Sequence, residues 1–406
     1  MYNLHLTSEQ QEFRDTVRDF VEREIKPVIL HPDRLQNFKR PFPIELIDQA
    51  SQMGLRSLAL SEELGGAGAD NLTSCIVAEE LAAGDVNIAI TLGETSRLAH
   101  LLFDQLMSVE QCERLLPAFV ADDRYHLAFA EHTTDPELGW KYHRQLSETP
   151  VSPVTAVKQA NGDWIVNGKT GFVRNAPIAK LIAVQAQAGS EIVNLLLQAG
   201  AAGMTIVEPE SDAESVKWYH GVGGELTFKD CRVPAANVLG NGNGGAAALH
   251  AIAAGRGSAQ LQAMNIGIAR AAFDAGVTYA KIRVQGARPI IQHQAIGNIL
   301  ADAAIKIEVA RNMVWNVAWA SDHADAYGDR SVSNMPLQTI AKVFVSEAMQ
   351  QATEEATECF GAMGVMLDMP LAKYMHDARV FLHSGDSNNV AKLRIAEAVA
   401  GFERTA

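Results

Sequence analysis

No apolar run in this chain approaches the ~18–20 residues that a membrane-spanning helix needs. Cysteine is scarce: Cys75, Cys112, Cys231 and Cys359 lie far apart and form no Cys-x-x-Cys pair. That spacing excludes a disulfide framework and reads as buried thiols in a reducing compartment, with no metal site assigned. Basic charge is in deficit. Lys and Arg number 34 against 48 Asp and Glu, a net −14, the wrong sign for a nucleic-acid surface. Met1 to Gln10 lacks the basic start and apolar run of a secretory leader. There is no internal repeat and no low-complexity segment. The expectation is a cytoplasmic protein with no membrane span and no nucleic-acid partner.

What is present is bulk. The chain has 406 residues, 48% hydrophobic and 20% charged, enough for two or three domains with sizeable cores. Residues 7 to 26 carry Phe13, Val17, Phe20, Val21 and Ile25 at helical spacing. Thr7 and Gln10 form a capping-box pattern, and Pro27 is expected to close the helix. Ile44–Met53, Ser74–Ala83 and Glu94–Met107 continue in helical style around a turn-rich loop at 58–69.

Near Arg124 the pattern changes. Val154–Ala160 and Asp163–Val166 read as strands around Asn161-Gly162, a hairpin signal because both residues tolerate positive φ. Leu181–Ala186, Ile192–Leu197 and Leu226–Phe228 add strands, and Val233-Pro234 ends them. Strands joined by turns predict an antiparallel β domain or small barrel. After Gly245 the periodicity is helical. Leu261, Met264, Ile268 and Ala272 share a face, as do Ile296 through Val317, and Leu337, Ile340, Ala341, Phe344 and Ala348. With the segment from Pro370 onward, a four-helix bundle follows. The predicted class is α+β: an N-terminal all-α domain (1–123), a central antiparallel β domain (124–240) and a C-terminal four-helix bundle (241–406).

Gly240-Asn241-Gly242-Asn243-Gly244-Gly245 satisfies G-x-G-x-x-G in form only. No parallel strand follows it, and residues 258–273 contain no acid. It reads as a loop leading into a helix.

Other stretches carry more information. Residues 361–396 read GAMGVMLDMPLAKYMHDARVFLHSGDSNNVAKLRIA. They resemble, without a gap, the C-terminal signature of the acyl-CoA dehydrogenase family of flavoproteins: Gly-Gly-x-Gly, Pro, Arg-Asp-Ala, then Glu-Gly-Thr-Ser/Asn. Gly361 sits at the glycine turn, Pro370 at the Pro, and His376-Asp377-Ala378 at Arg-Asp-Ala. The family's catalytic Glu falls on Gly385, its Thr on Ser387 and its later amide on Asn389. Arg283 to Ile290 with Gln294 resembles the family's Arg-x-x-Phe-Gly-Lys-Pro-Ile-x-x-x-Gln, with Gly286 at the Phe. The resemblance implies that Arg283 and Gln294 reach the adenosine diphosphate half of FAD on a neighbouring subunit. Gly168 to Asn175 resembles Asn-Gly-x-Lys-x-Trp-Ile-Thr-Asn. There Phe172 stands for the Trp that covers the flavin and Arg174 for the Thr at its reactive edge. Leu127 to Glu131 resembles the stretch ending in Thr-Glu-Pro, with Ala130 at the Thr; residues 132–145 are not placed.

The alternative base position known in the family falls on Gly257. A glycine accepts no proton, so both positions are vacant. Asp386, Arg174 and Glu131, then His383 and His220, are the candidate substitutes; a solvated or structural role suits each as well. For Arg174 two orientations are open. Outward is preferred, because burying an unpaired charge is costly; inward requires Glu131, Asp386 or the cofactor as partner.

The resemblance implies an FAD-dependent oxidoreductase acting on a CoA or carrier-protein thioester. It also implies a homo- or hetero-tetramer passing electrons to a protein partner or to oxygen. Two alternatives follow from the missing base: a non-catalytic partner subunit of a hetero-oligomer, or a flavin monooxygenase or elimination enzyme.

Overall fold

The computed structural model describes residues 5–35, 42–131, 154–209, 218–240, 245–323, 336–383 and 387–400, with backbone alone for 245–258. Helix α1 (Ser8–Phe20) starts on the expected capping box: Thr7 Oγ1 accepts from Gln10 N, and Gln10 Oε1 accepts from Thr7 N, both at 3.1 Å. Pro27 does not stop the chain. A π-helical turn, Val21–Ile25, hands over to α2 (Lys26–Ile29), where Pro27 falls in the first turn and its missing N–H leaves nothing unpaired. Helices α3 (Pro32–Leu35) and α4 (Ile44–Gln52) follow, then α5 (Asn71–Gly84) and α6 (Val86–Ala99). Asp85 ends α5 and caps α6, accepting from Asn87 N at 2.8 Å and Ile88 N at 3.2 Å. The helix expected at 94–107 is the second half of α6 followed by a π-helical stretch, His100–Leu106. Helix α7 (Val109–Ala121) opens on a second capping box, Ser108 with Gln111, which the sequence reading passed over.

Eight strands build one sheet: β1 (His126–Ala130), β2 (Val154–Lys158), β3 (Trp164–Arg174), β4 (Ala179–Ala188), β5 (Glu191–Gln198), β6 (Met204–Val207), β7 (Gly223–Val233) and β8 (Val238–Leu239). The order is β6-β7-β3-β2-β4-β5-β8, with β1 on β4. Most pairings are antiparallel as expected, but β1 and β2 both run parallel to β4, so the sheet is mixed. The hairpin between β2 and β3 forms, with positive φ at Gly162 alone. Strand β3 runs on to Arg174, eight residues past its expected end.

Helix α8 (Gly245–Ile282) begins the bundle. A two-stranded hairpin, β9 (Val284–Gln285) and β10 (Arg288–Pro289), leads to α9 (Gln294–Asp322), then α10 (Leu337–Glu358), α11 (Leu371–His383) and α12 (Asn388–Ala400). Most of the predicted faces are buried, but Leu261, Ile296, Ile299, Leu337 and Ile340 are half-buried and Phe344 is 40% exposed. Helix α5 is buried along its whole length and packs on α8. The approach is close because Gly267 has no side chain: a Cβ there would lie 2.2 Å from the Glu79 carbonyl oxygen. Burying Glu79 and Glu80 at this seam requires paired charges. Arg311 reaches Glu79 at 2.8 Å, while Arg270 and Arg18 reach Glu80 at 2.7 and 2.6 Å. These pairs join α5 to α8, α9 and α1.

Candidate active site

The candidate site is organised where the end of β3 meets α6. Asn175, just past β3, is buried with φ +60°, a backbone state that Asn adopts more readily than most residues. Its Nδ2 donates to Thr91 O at 2.9 Å and to Thr95 Oγ1 at 3.2 Å, both on α6. Thr95 Oγ1 also accepts from Leu127 N on β1 at 3.4 Å. Its own proton therefore goes to His126 Nδ1, 3.1 Å away. Burial, and then the Arg56 charge, push His126 down to about 4, so it is neutral near pH 7. One threonine thus ties α6 to two strands. The next residues on α6, Glu94 and Arg97, are brought against Arg174.

Arg174 points inward, contrary to the orientation preferred from sequence. Burial lowers its pKa; Glu94 opposes that shift, Arg97 adds to it, and Glu131 opposes it again. The partner that sequence reasoning lacked is Glu94, on an element 80 residues upstream. Glu94 and Arg97 are 12% and 11% exposed and pair at 2.8 Å. Burial works against the Glu94 charge, but Arg97 and then Arg174 outweigh it and hold the carboxylate below its usual range. The Arg97 guanidinium keeps an unused donor. Arg97 Nη1 is buried with no hydrogen-bond partner, and the Arg174 side chain makes no hydrogen bond or ion pair among the described residues. The available signal was Glu94-x-x-Arg97 inside the otherwise uncharged run from Val86 to Phe103.

Phe172 is half-buried two residues before Arg174. It lies against Gly223, where a Cβ would meet its ring at 2.2 Å, and packs on Tyr219 (centroids 4.4 Å apart) and Trp218 (5.2 Å). Ala130 is buried at the end of β1 and Glu131 is exposed just after it. His220 is buried: its Nε2 donates to Asp377 O at 3.0 Å and its ring rests on Phe381. Burial pushes it down to about 4. It fastens the 218–222 loop to α11. Lys373 on α11 is buried between Asp377 at 2.5 Å and Asp85 at 3.2 Å. His383 is exposed at the end of α11.

The remaining candidates separate along the bundle. Arg283 and Gln294 are exposed at the end where α8 leaves and α9 begins. Tyr279 stacks on Phe360 there (centroids 4.2 Å), which places Gly361, at φ +54°, on the same end. Ser387 and Asn389 open α12, whose Asn388 bonds Ser346 at 3.0 Å. Ser346 and Glu358 are ~18 Å apart along α10, so these two sets are not together within one chain. Gly257 lies on α8; Gly385 and Asp386 fall outside the described residues.

A helical domain, a mixed sheet and a helical bundle, with charged groups gathered at the sheet–helix junction, define a recognisable class. The model of the N-terminal domain of acyl-CoA dehydrogenases matches residues 7–123, and that of the C-terminal domain matches residues 242–400. The chain belongs to the acyl-CoA dehydrogenase family, whose members are FAD-binding flavoprotein oxidoreductases. It is 30% identical to an acyl-CoA dehydrogenase of Bacillus subtilis (strain 168) over 405 residues, 98% of this chain and all of that one. It is also 30% identical to the short-chain specific acyl-CoA dehydrogenase of Megasphaera elsdenii, over 93% of this chain and 94% of that one. The solved butyryl-CoA dehydrogenase from Megasphaera elsdenii superimposes with a TM-score of 0.82 at 28% identity, covering 98% of this chain and 100% of that one.

Proposed function

We propose that this chain binds FAD and acts on an acyl thioester of CoA or a carrier protein, oxidising a CH–CH bond or carrying out a variant of that reaction. The observation that carries the reading is the inward Arg174: a half-buried cation that feels the Glu94 charge, at the position that resembles the residue beside the flavin's reactive edge. The residues present fit FAD. A buried small residue (Ala130), an aromatic ring (Phe172) and an unused guanidinium donor suit a flat, acceptor-rich ring system. Arg283, Gln294 and Gly361, on one exposed bundle end, suit a second part of the cofactor held by a neighbouring copy.

FAD, when bound, supplies the two-electron acceptor. Arg174 puts a fixed positive charge at the reacting end and orients anionic or carbonyl groups there. The Glu94 charge favours that guanidinium, and Asn175 fixes the strand that carries it. Glu131 and Asp386 are the candidates for taking the proton in place of Gly257 and Gly385, while Arg174, which stays charged and has no acceptor atom, can only bind or orient.

The test is the visible spectrum of the purified chain before and after anaerobic addition of a panel of acyl-CoAs. A yellow protein bleached by one of them supports the reading; a colourless chain that takes up no FAD removes it. A second reading is favoured by the two glycines: a partner subunit that helps hold a cofactor used by a Glu-bearing homologue. Copurification with such a homologue, and bleaching only in the mixture, selects it.

A further inference from the structure

The hairpin between α8 and α9 has little of its own to hold it. Its ladder has two pairs, Gln285 with Arg288 and Val284 with Pro289, and Pro289 has no N–H to give. Its turn puts Gly286 at φ +59° and Ala287 at φ +65°, the second against the preference of a residue with a Cβ. A short two-stranded hairpin is marginal by itself. His293, the residue before α9, supplies the hold. Its half-buried ring lies beside the turn, where a Cβ on Gly286 would come within 3.4 Å of Cε1. His293 Nε2 is 3.0 Å from Gln285 O, so it carries the proton and donates. Nδ1 is 3.2 Å from Arg288 Nη2, which can only donate, so Nδ1 accepts. The two contacts fix the neutral tautomer. A second proton, on Nδ1, would set N–H against N–H and cation against cation. The charges on the surrounding elements are mostly of that sign. The hairpin brings Arg283 and Arg288, and the end of α8 brings Lys281. The acids are Glu358, exposed at the end of α10, and Asp302, ~13 Å along α9.

We infer that neutral His293 is a positioning residue for this end of the bundle: it locks Arg288 and the hairpin to the start of α9, and so sets Arg283 beside Gln294. Uptake of a proton releases the lock. This rests on the reading above in which Arg283 and Gln294 hold part of FAD. The locked form excludes the second proton, so the lock is complete above the histidine range and is lost as pH falls through it. Added positive charge alone acts in the opposite direction, drawing phosphates in. The sign of the pH effect therefore separates the lock from simple charge attraction.

The experiment uses the FAD-loaded full chain between pH 8 and about 5.5, which spans the histidine range. Flavin fluorescence on serial dilution gives the dissociation constant. Hydrogen exchange of the segment 283–293, corrected for its intrinsic pH dependence, reads the hairpin without reference to the cofactor. The wild type should lose about three- to tenfold in affinity on acidification, the scale of one hydrogen bond, while the segment loses protection. His293→Gln keeps an amide donor and a carbonyl acceptor but takes no proton, so it should hold its pH 8 affinity across the range. His293→Ala should bind weakly at every pH. His126 and His220 titrate in all three chains, so the difference between profiles belongs to position 293. Wild-type affinity that stays constant or rises on acidification, with protection unchanged, overturns the lock and leaves the cofactor reading intact. A His293→Gln profile as steep as the wild type also overturns it, whether or not His293→Ala folds. A wild-type chain that binds no FAD at pH 8 overturns the cofactor reading, and the role of the lock in holding FAD falls with it.

Discussion

At the residue scale, charges and histidines are handled in opposite ways. Lys373 is buried yet charged, since Asp377 and Asp85 raise its pKa against the effect of burial. His126 and His220 are buried and neutral, both pushed down to about 4 by desolvation first. The sign of the consequence follows from linkage. The unfolded chain takes up these protons near pH 6.5 and the folded chain only near 4. The stability they support is complete above 6.5 and is lost as pH falls toward 4, at about 1.4 kcal/mol per pH unit for each ring. His220→Gln, which keeps a donor for Asp377 O, should flatten this slope; urea midpoints at pH 7 and pH 5 measure it. An unaltered slope would assign the pH dependence elsewhere. A second residue-scale prediction concerns Gly385→Glu. On the reading proposed above it supplies a carboxylate where the sequence resembles the family's base position, and should raise acyl-CoA dehydrogenation by about 10²–10⁴-fold. No gain in stopped-flow flavin reduction would mean that the missing base is not what limits the reaction.

At the element scale, the α5–α8 seam depends on having no side chain at Gly267. Gly267→Ala puts a Cβ against the Glu79 carbonyl and Ala83 N, neither of which can move without shifting α5. Forced overpacking of this kind costs about 1–3 kcal/mol. The cost should show as a lower denaturation midpoint at unchanged m, and a loss under ~0.5 kcal/mol would show that the helices adjust freely. This scale also explains what the sequence made legible. The helices of the bundle were readable because Leu300, Ala303, Ile307, Ala310, Val314 and Val317 repeat at helical period on one buried face. The hairpin at Gly162 was readable because its signal is local. The parallel pairing of β1 with β4 was not, because it joins residues ~50 positions apart and no local pattern encodes it. The same holds for the site. The Phe172–Arg174 stretch stood out as a motif, but its orientation depends on Glu94 from a helix far upstream, and a pairwise charge contact across elements leaves no periodic trace.

At the scale of the whole molecule, the question is whether one chain makes one site. Arg283, Gln294 and Gly361 occupy one exposed end of the bundle, while Ser387 and Asn389 lie beside the middle of α10 and Arg174 beside α6. On the reading proposed above, a cofactor held by both groups would take one of them from a second copy, and the surface of the Arg283 end suits that. Ile282 is 73% exposed and Val365 72%, with Val284, Met366 and Leu367 also exposed near them. Apolar side chains gathered on one end of a monomer mark a surface that another molecule covers. Arg283 would then serve two ends at once, as a phosphate-binding fork and as part of a subunit boundary. Arg283→Ala should lower FAD content and shift the assembly toward smaller species together. Flavin absorbance per chain and sedimentation velocity read the two quantities independently. A variant that keeps full flavin as a stable monomer would show that a single chain completes the site. Loss of flavin with the assembly intact would confine Arg283 to the cofactor, and the burden of joining the subunits would pass to the apolar residues around it.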